Sequence, residues 1–143
     1  AIALASSYAS ASCSDHIPAA ARRYATPEPL LRALIHTESS GHALAIRTET
    51  GAAYPASRSK AARLASAADT PDVGCGQISM RWHNLPIHHA LRARVNVFYT
   101  ARYLHRLYEQ HGTWSAAVAA YHSGQGHDPT YLQAIAHELQ ETP

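Results

Sequence analysis

Thr26-Pro27-Glu28-Pro29-Leu30-Leu31-Arg32-Ala33-Leu34-Ile35-His36-Thr37-Glu38-Ser39-Ser40-Gly41 is the stretch on which the fold turns. It opens with a hydroxyl residue, a proline and an acid. That is the order of a helix start: a capping group, a residue with φ already set, and a negative charge near the positive end of the helix dipole. Leu30, Leu31, Leu34 and Ile35 follow at helical spacing, and Gly41 supplies a stop. Leu30, Leu34 and Glu38 stand at i, i+4 and i+8, so the carboxyl follows the apolar face. A carboxyl in an apolar setting is pushed toward its protonated form, which a general acid needs near neutrality. Spacing alone favours the ordinary case, a helix-end glutamate in water.

Outward from this helix the chain reads as more helices with short connections. Asp15 is expected to cap a short helix over about 17–24. Residues 42–56, with Gly51 and Pro55, read as a loop or small hairpin, and Ser57 to Ala68 as a short Ala-rich helix. Val73-Gly74-Cys75-Gly76-Gln77-Ile78 is too rich in glycine for a strand interior and reads as a tight turn leading into a helix. Pro86 starts another short segment. The strongest helix runs from about 90 to 110, with Leu91, Val95, Phe98, Ala101, Leu104 and Leu107 as its apolar face and Gly112 as its end. A helix over 115–122 follows. Asp128-Pro129 opens a last one carrying Leu132, Ile135 and Leu139. The expected fold class is mainly α with a small irregular β element, in one domain.

Composition narrows the function classes. The chain has 143 residues, enough for one domain with a real core, and 15% are charged. Charge-rich disorder and a charged coiled coil are excluded. The sequence has no apolar run long enough for a transmembrane helix. Its twelve basic residues, eleven of them Arg, are scattered, so nucleic-acid binding is not suggested. Residues 1–12 are small and mostly apolar, and Ala9-Ser10-Ala11 has the form of a signal-peptidase site. They read either as the end of a secretion signal or as a frayed terminus. The two cysteines, Cys13 and Cys75, form no C-x-x-C motif, which disfavours a zinc or redox site.

Three features in order change the weight given to Glu38. They are Glu38-Ser39, the turn Asp72-Val73-Gly74-Cys75-Gly76-Gln77-Ile78-Ser79, and Ala120-Tyr121-His122-Ser123-Gly124. Together they resemble the lysozyme-like soluble lytic transglycosylases, which carry Glu-Ser, then Gly-Leu-Met-Gln, then Ala-Tyr-Asn-x-Gly. Asn96 and Tyr103-Leu104 resemble a fourth family helix. The resemblance spans about residues 13–125, with 126–143 left as a last helix or a tail. The long insert between Glu-Ser and the Gln turn is similar to specialised members that serve secretion, conjugation or pilus assembly. The resemblance implies a compact domain with a substrate cleft that cleaves the β-1,4 bond between N-acetylmuramic acid and N-acetylglucosamine. Glu38 would be the single acid/base, forming a 1,6-anhydro product. It implies no cofactor and no metal. Glycan strands, and for specialised members the components of an envelope-spanning machine, would be the partners.

Site roles carry over residue by residue. Ser39 is expected near the substrate N-acetyl group or the carboxylate, or else bonded to its own helix backbone. Gln77 would reach the sugar or the acid, and Tyr121 would hold Glu38 unless it is simply a core tyrosine. Ile78 and Trp82 would line the groove. His122 stands where the family has Asn, Cys75-Gly76 where it has Leu-Met, and Thr100 lies in a helix segment where it prefers small residues. With Cys75 inside the turn that the resemblance makes the active-site turn, a Cys13–Cys75 disulfide becomes the expected pairing, the alternative being two unrelated buried thiols. That pairing implies an oxidising compartment, the periplasm of an exported protein. Three readings compete. A lysozyme-type hydrolase would need a second carboxylate, with Glu49, Asp69 and Asp72 as candidates. A metal protein would use His83, His88, His89, His122 and His127. A catalytically weak scaffold would bind glycan and recruit an assembly.

Overall fold

The computed structural model describes residues 12–123 and 129–141. The remnant-or-terminus expectation for the first residues and the cap expected at Asp128 lie outside them. The described chain forms α1 (Cys13–Tyr24), α2 (Glu28–Ser39), β1 (Ile46–Thr48), β2 (Gly51–Ala53), α3 (Arg58–Ala67), β3 (Asp72–Val73), β4 (Ile78–Ser79), α4 (Ile87–Ala90), α5 (Ala93–His111), α6 (Trp114–Ser123) and α7 (Pro129–Glu141). This is the expected mainly helical architecture with one small sheet, the lysozyme-like α+β fold.

Both helix starts differ from expectation in detail. Asp15 stands inside α1, at its third position, and accepts a hydrogen bond from Ser12 N–H (2.8 Å). It therefore closes a capping box from within, and the helix begins at Cys13. Thr26 does not cap α2. Its buried hydroxyl donates to the Ala101 carbonyl of α5 (2.9 Å), tying the helix entry to the core. At the other end Ser40 takes a left-handed conformation (φ 51°) and its N–H bonds His36 O (2.8 Å).

The main core gathers Ile17, Leu31, Leu34, Val97, Leu104 and Val118, all almost fully buried. The stripe on α5 is rotated from the apolar face read in sequence. Asn96 and Thr100 are fully buried, while Val95 and Phe98 are only partly so. Hydrogen bonding is the reason. Asn96 Oδ1 accepts from Gly76 N–H (2.8 Å), and its Nδ2 donates to Val73 O and Ala90 O (2.8 Å each). One amide thus satisfies three backbone groups that would be costly to bury unpaired.

Residues 42–56 do form a hairpin, β1 with β2, and a second hairpin joins β3 to β4. The glycine turn therefore leads back into a strand and not into a helix, because Ile78-Ser79 pairs with Asp72-Val73. The sheet order is β2-β1-β3-β4, antiparallel throughout. It closes over a small second core of Ile46, Ala61, Ala65, Val73, Ala90 and Leu91. Two glycines in the turn are demanded by space. A Cβ on Gly74 (φ 75°) would collide with the Asn96 amide, and one on Gly76 with Thr100 Oγ1, with Tyr121 Oη at 2.7 Å. Gly76 and Thr100 are thus complementary: the larger residue on α5 occupies the room that a side chain in the turn would need. Cys13 and Cys75 are disulfide-bonded, their Cα atoms 5.7 Å apart, and the bond ties α1 to this turn.

Candidate active site

A cleft of about 810 Å3 opens between the helices and the sheet. Glu38, next to last in α2, lines its helical wall. Burial pushes the carboxyl up to about 7; the Tyr131 hydrogen bond opposes this, the Asp72 charge adds to it, and Arg47 opposes it. The hydroxyl that meets Glu38 belongs to Tyr131 of α7, which donates to Oε1 at 2.5 Å. Burial first, and then the charge of Glu38, holds the Tyr131 phenol far above its ordinary range, so it stays a donor. α7 is seated on α2 by a His36–Glu138 contact (3.5 Å), and the His122 ring stacks on Tyr131 (centroids 4.0 Å apart).

Tyr121 was the residue expected to hold Glu38, and its hydroxyl goes elsewhere. It donates to Gly76 O at 2.6 Å, fastening α6 to the glycine turn. The phenol lines the cleft near Glu38, and burial, then the Glu38 charge, raises its pKa well above normal. Ser39 is likewise turned inward. It is 2% exposed and its Oγ lies 2.7 Å from Cys75 O and 3.1 Å from Ile35 O, while Gly41 N–H donates to it (3.2 Å). It clamps the helix end to the turn and does not line the cleft; the bond to Ile35 O is the second of the two expectations, a serine tied to its own helix backbone. Gln77 (φ 48°) does line the cleft, with its Nε2 given to Ala45 O and Gly74 O (3.0 Å each). Ile78, His122 and the exposed Trp82 also line it, with His83, whose Nδ1 lies 2.7 Å from Tyr99 Oη. His88 and His89, named in the metal reading, lie outside the cleft lining and pack against each other (4.3 Å).

The sheet wall carries charge that sequence reading did not assemble. Arg47 faces Asp72 across β1 and β3, and Asp72 faces Ser79 across β3 and β4, so the three form one row on one face of the sheet. Burial raises the Asp72 carboxyl, while a Ser79 hydrogen bond, Arg47 and His122 pull it back. Of the three carboxylates considered as partners for Glu38, only Asp72 lines the cleft; Glu49 and Asp69 are exposed outside it. Arg47 and Tyr131 were missed. Nothing in their local sequence marks them, since strand register and the return of α7 bring them in.

A helical core, a small antiparallel sheet and a cleft between them define the lysozyme-like α+β fold. The family model of the transglycosylase SLT domain matches residues 15–141, and the chain belongs to that family, the lytic transglycosylases, which are lyases acting on peptidoglycan. The match runs through α7 and so takes in Tyr131. No curated protein and no solved structure matches the chain significantly. A peptidoglycan substrate puts the site of action outside the cytoplasm. Among the described residues no helix is long and apolar enough to cross a membrane.

Proposed function

We propose that Glu38 is the single acid/base of this lytic transglycosylase and that its product carries a 1,6-anhydro-N-acetylmuramic acid end. Protonated Glu38 gives its proton to the leaving glycosidic oxygen as the bond to the muramyl anomeric carbon breaks. The resulting carboxylate takes the proton of the same sugar's 6-hydroxyl, whose oxygen closes on the anomeric carbon. One bond is exchanged for another, Glu38 ends protonated, and no water is consumed. The observation that carries this reading is the half-buried carboxyl at the end of α2, held near pKa 7 in the cleft and oriented by the Tyr131 hydroxyl.

Asp72 supports a second reading. It lines the same cleft, and a second carboxylate is what a hydrolase requires. Product mass decides between them. Purified sacculi digested by the wild type should release muropeptides one water lighter than hydrolysis products. Glu38→Gln should lose at least about a hundredfold of that rate, the usual contribution of a general acid. Full-mass reducing ends would make the enzyme a hydrolase with Asp72 as partner. Turnover by Glu38→Gln at the wild-type rate would remove Glu38 from the chemistry. Binding of sacculi without cleavage by the wild type would favour the scaffold reading.

The biological setting follows from the specialised resemblance. The insert between Glu38 and Gln77 builds three of the four strands of the sheet wall and α3, and a disulfide at the active-site turn suits an oxidising, periplasmic location. In this reading the enzyme opens the wall locally for an envelope-spanning secretion, conjugation or pilus apparatus. A periplasmic fraction that contains the oxidised protein, together with loss of machine assembly in its absence, would support it.

A further inference from the structure

The sheet wall carries two arginines for which the acid/base step has no use. Arg47 lines the cleft from β1, in the row with Asp72 and Ser79, and its side chain is exposed. Among the described residues no carboxylate forms an ion pair with it, although its charge reaches both Glu38 and Asp72. At Glu38 the charge of Asp72 already outweighs that of Arg47, so the acid does not depend on the guanidinium. Arg81 follows β4 on the same wall. Its guanidinium lies 4.7 Å from the ring centroid of Trp82, an indole that is 73% exposed at the cleft. Cation and flat apolar face are thus presented together, a pairing suited to a sugar that carries an acid.

An unmodified amino-sugar polymer brings no charge to such a wall. The muramyl residue does. Its lactyl arm ends in a carboxylate when free, and when a peptide stem is attached the stem supplies carboxylates in its place. We propose that Arg47, assisted by Arg81, recognises a carboxylate hanging from the muramyl residue and so selects muramyl strands over neutral amino-sugar polymers. Guanidinium is suited to this because its planar fork matches a carboxylate bidentately. The inference rests on the peptidoglycan reading of the cleft, and it names the chemical feature of the strand that the cleft reads.

The test is binding without turnover. In Glu38→Gln protein, affinities are measured by calorimetry for stem-bearing strands, for strands stripped to the free lactyl acid, and for a neutral β-1,4-linked N-acetylglucosamine oligomer. The preference for acidic over neutral strands should fall about tenfold on adding Arg47→Gln, the effect of losing one charge-assisted contact. Arg47→Lys should keep part of it, Arg81→Gln should lower it less, and added salt should weaken it. A fall confined to stem-bearing strands assigns the contact to stem carboxylates, and one confined to stripped strands assigns it to the lactyl acid. An unchanged ratio in both glutamine variants, or no preference for acidic strands at the outset, overturns the proposal. Anhydro products from the wild type with an unchanged ratio sink this inference alone. A falling ratio without anhydro products sinks the catalytic reading and leaves this one standing.

Discussion

Ile17, Leu31, Leu34, Leu104 and Val118 bury apolar side chains against one another across α1, α2, α5 and α6. The sheet lobe has no comparable reserve. Its strands are two or three residues long, and its own core relies heavily on alanine. What it has instead is a set of polar and covalent ties to the helices: Asn96 and Tyr121 onto the glycine turn, Ser39 onto Cys75, and the Cys13–Cys75 bond. The cleft lies where the two regions meet, Glu38 and Tyr131 on one side and Asp72 and Arg47 on the other. A wall too small to be held by burial can still be placed accurately when every tie is directional.

That contrast can be tested by removing ties one at a time. The largest effect on stability should come from the disulfide. Closing a separation of 62 residues contributes about 4 kcal/mol in the chain-entropy model, so reductant should lower the thermal midpoint clearly. An unchanged midpoint would mean the turn is held without it. Next, Asn96→Ala should cost about 3 kcal/mol in a urea melt, since Gly76 N–H, Val73 O and Ala90 O lose their partner together. Asn96→Leu keeps similar volume and should not rescue; if it does, the clamp is packing and not hydrogen bonding.

The smallest stability effect lies at the cleft itself. Between the ordinary value of 4.5 and about 7, folded Glu38 keeps a proton that the unfolded chain has lost. Wild-type stability therefore falls as pH rises across that window, and the contribution is complete only below it. Glu38→Gln lacks this slope and should be the more stable protein at pH 8, by up to about 3 kcal/mol before solvent screening reduces it. Parallel melting curves of the two proteins from pH 4 to 8 would remove the buried-acid argument.

The family match shows that reading the ordered motifs was sound at the level of fold and enzyme class. Individual roles were less legible. Ser39 beside Glu38 reads either as a substrate contact or as a serine bonded to its own helix, and its hydroxyl goes to Ile35 O and to the turn. Tyr121 lines the cleft with the carboxyl, but its hydroxyl donates its hydrogen bond to Gly76 O. Thr100 where the family is small reads as a threat to close packing, and Gly76 on the facing turn absorbs the added bulk. In each case the residue lies close to where the pattern implies, and a local competition for one hydrogen bond or one methyl's volume decides what it does.

The helices, the apolar face that leads to Glu38, the turn that carries Gln77 and the two cysteines are all legible along the chain. These depend on periodicity, on turn chemistry and on motif order, all of which can be read along the chain. Tertiary structure alone decided which hydroxyl meets Glu38 and which charges face it. Tyr131 is 93 residues away and reaches the carboxyl only because α7 packs back on α2. Arg47 and Asp72 meet through strand register, which pairs residues across space without any trace in their spacing. A proton-holding carboxyl is proposed by its helix face, but its pKa is set by the side chains that folding brings around it.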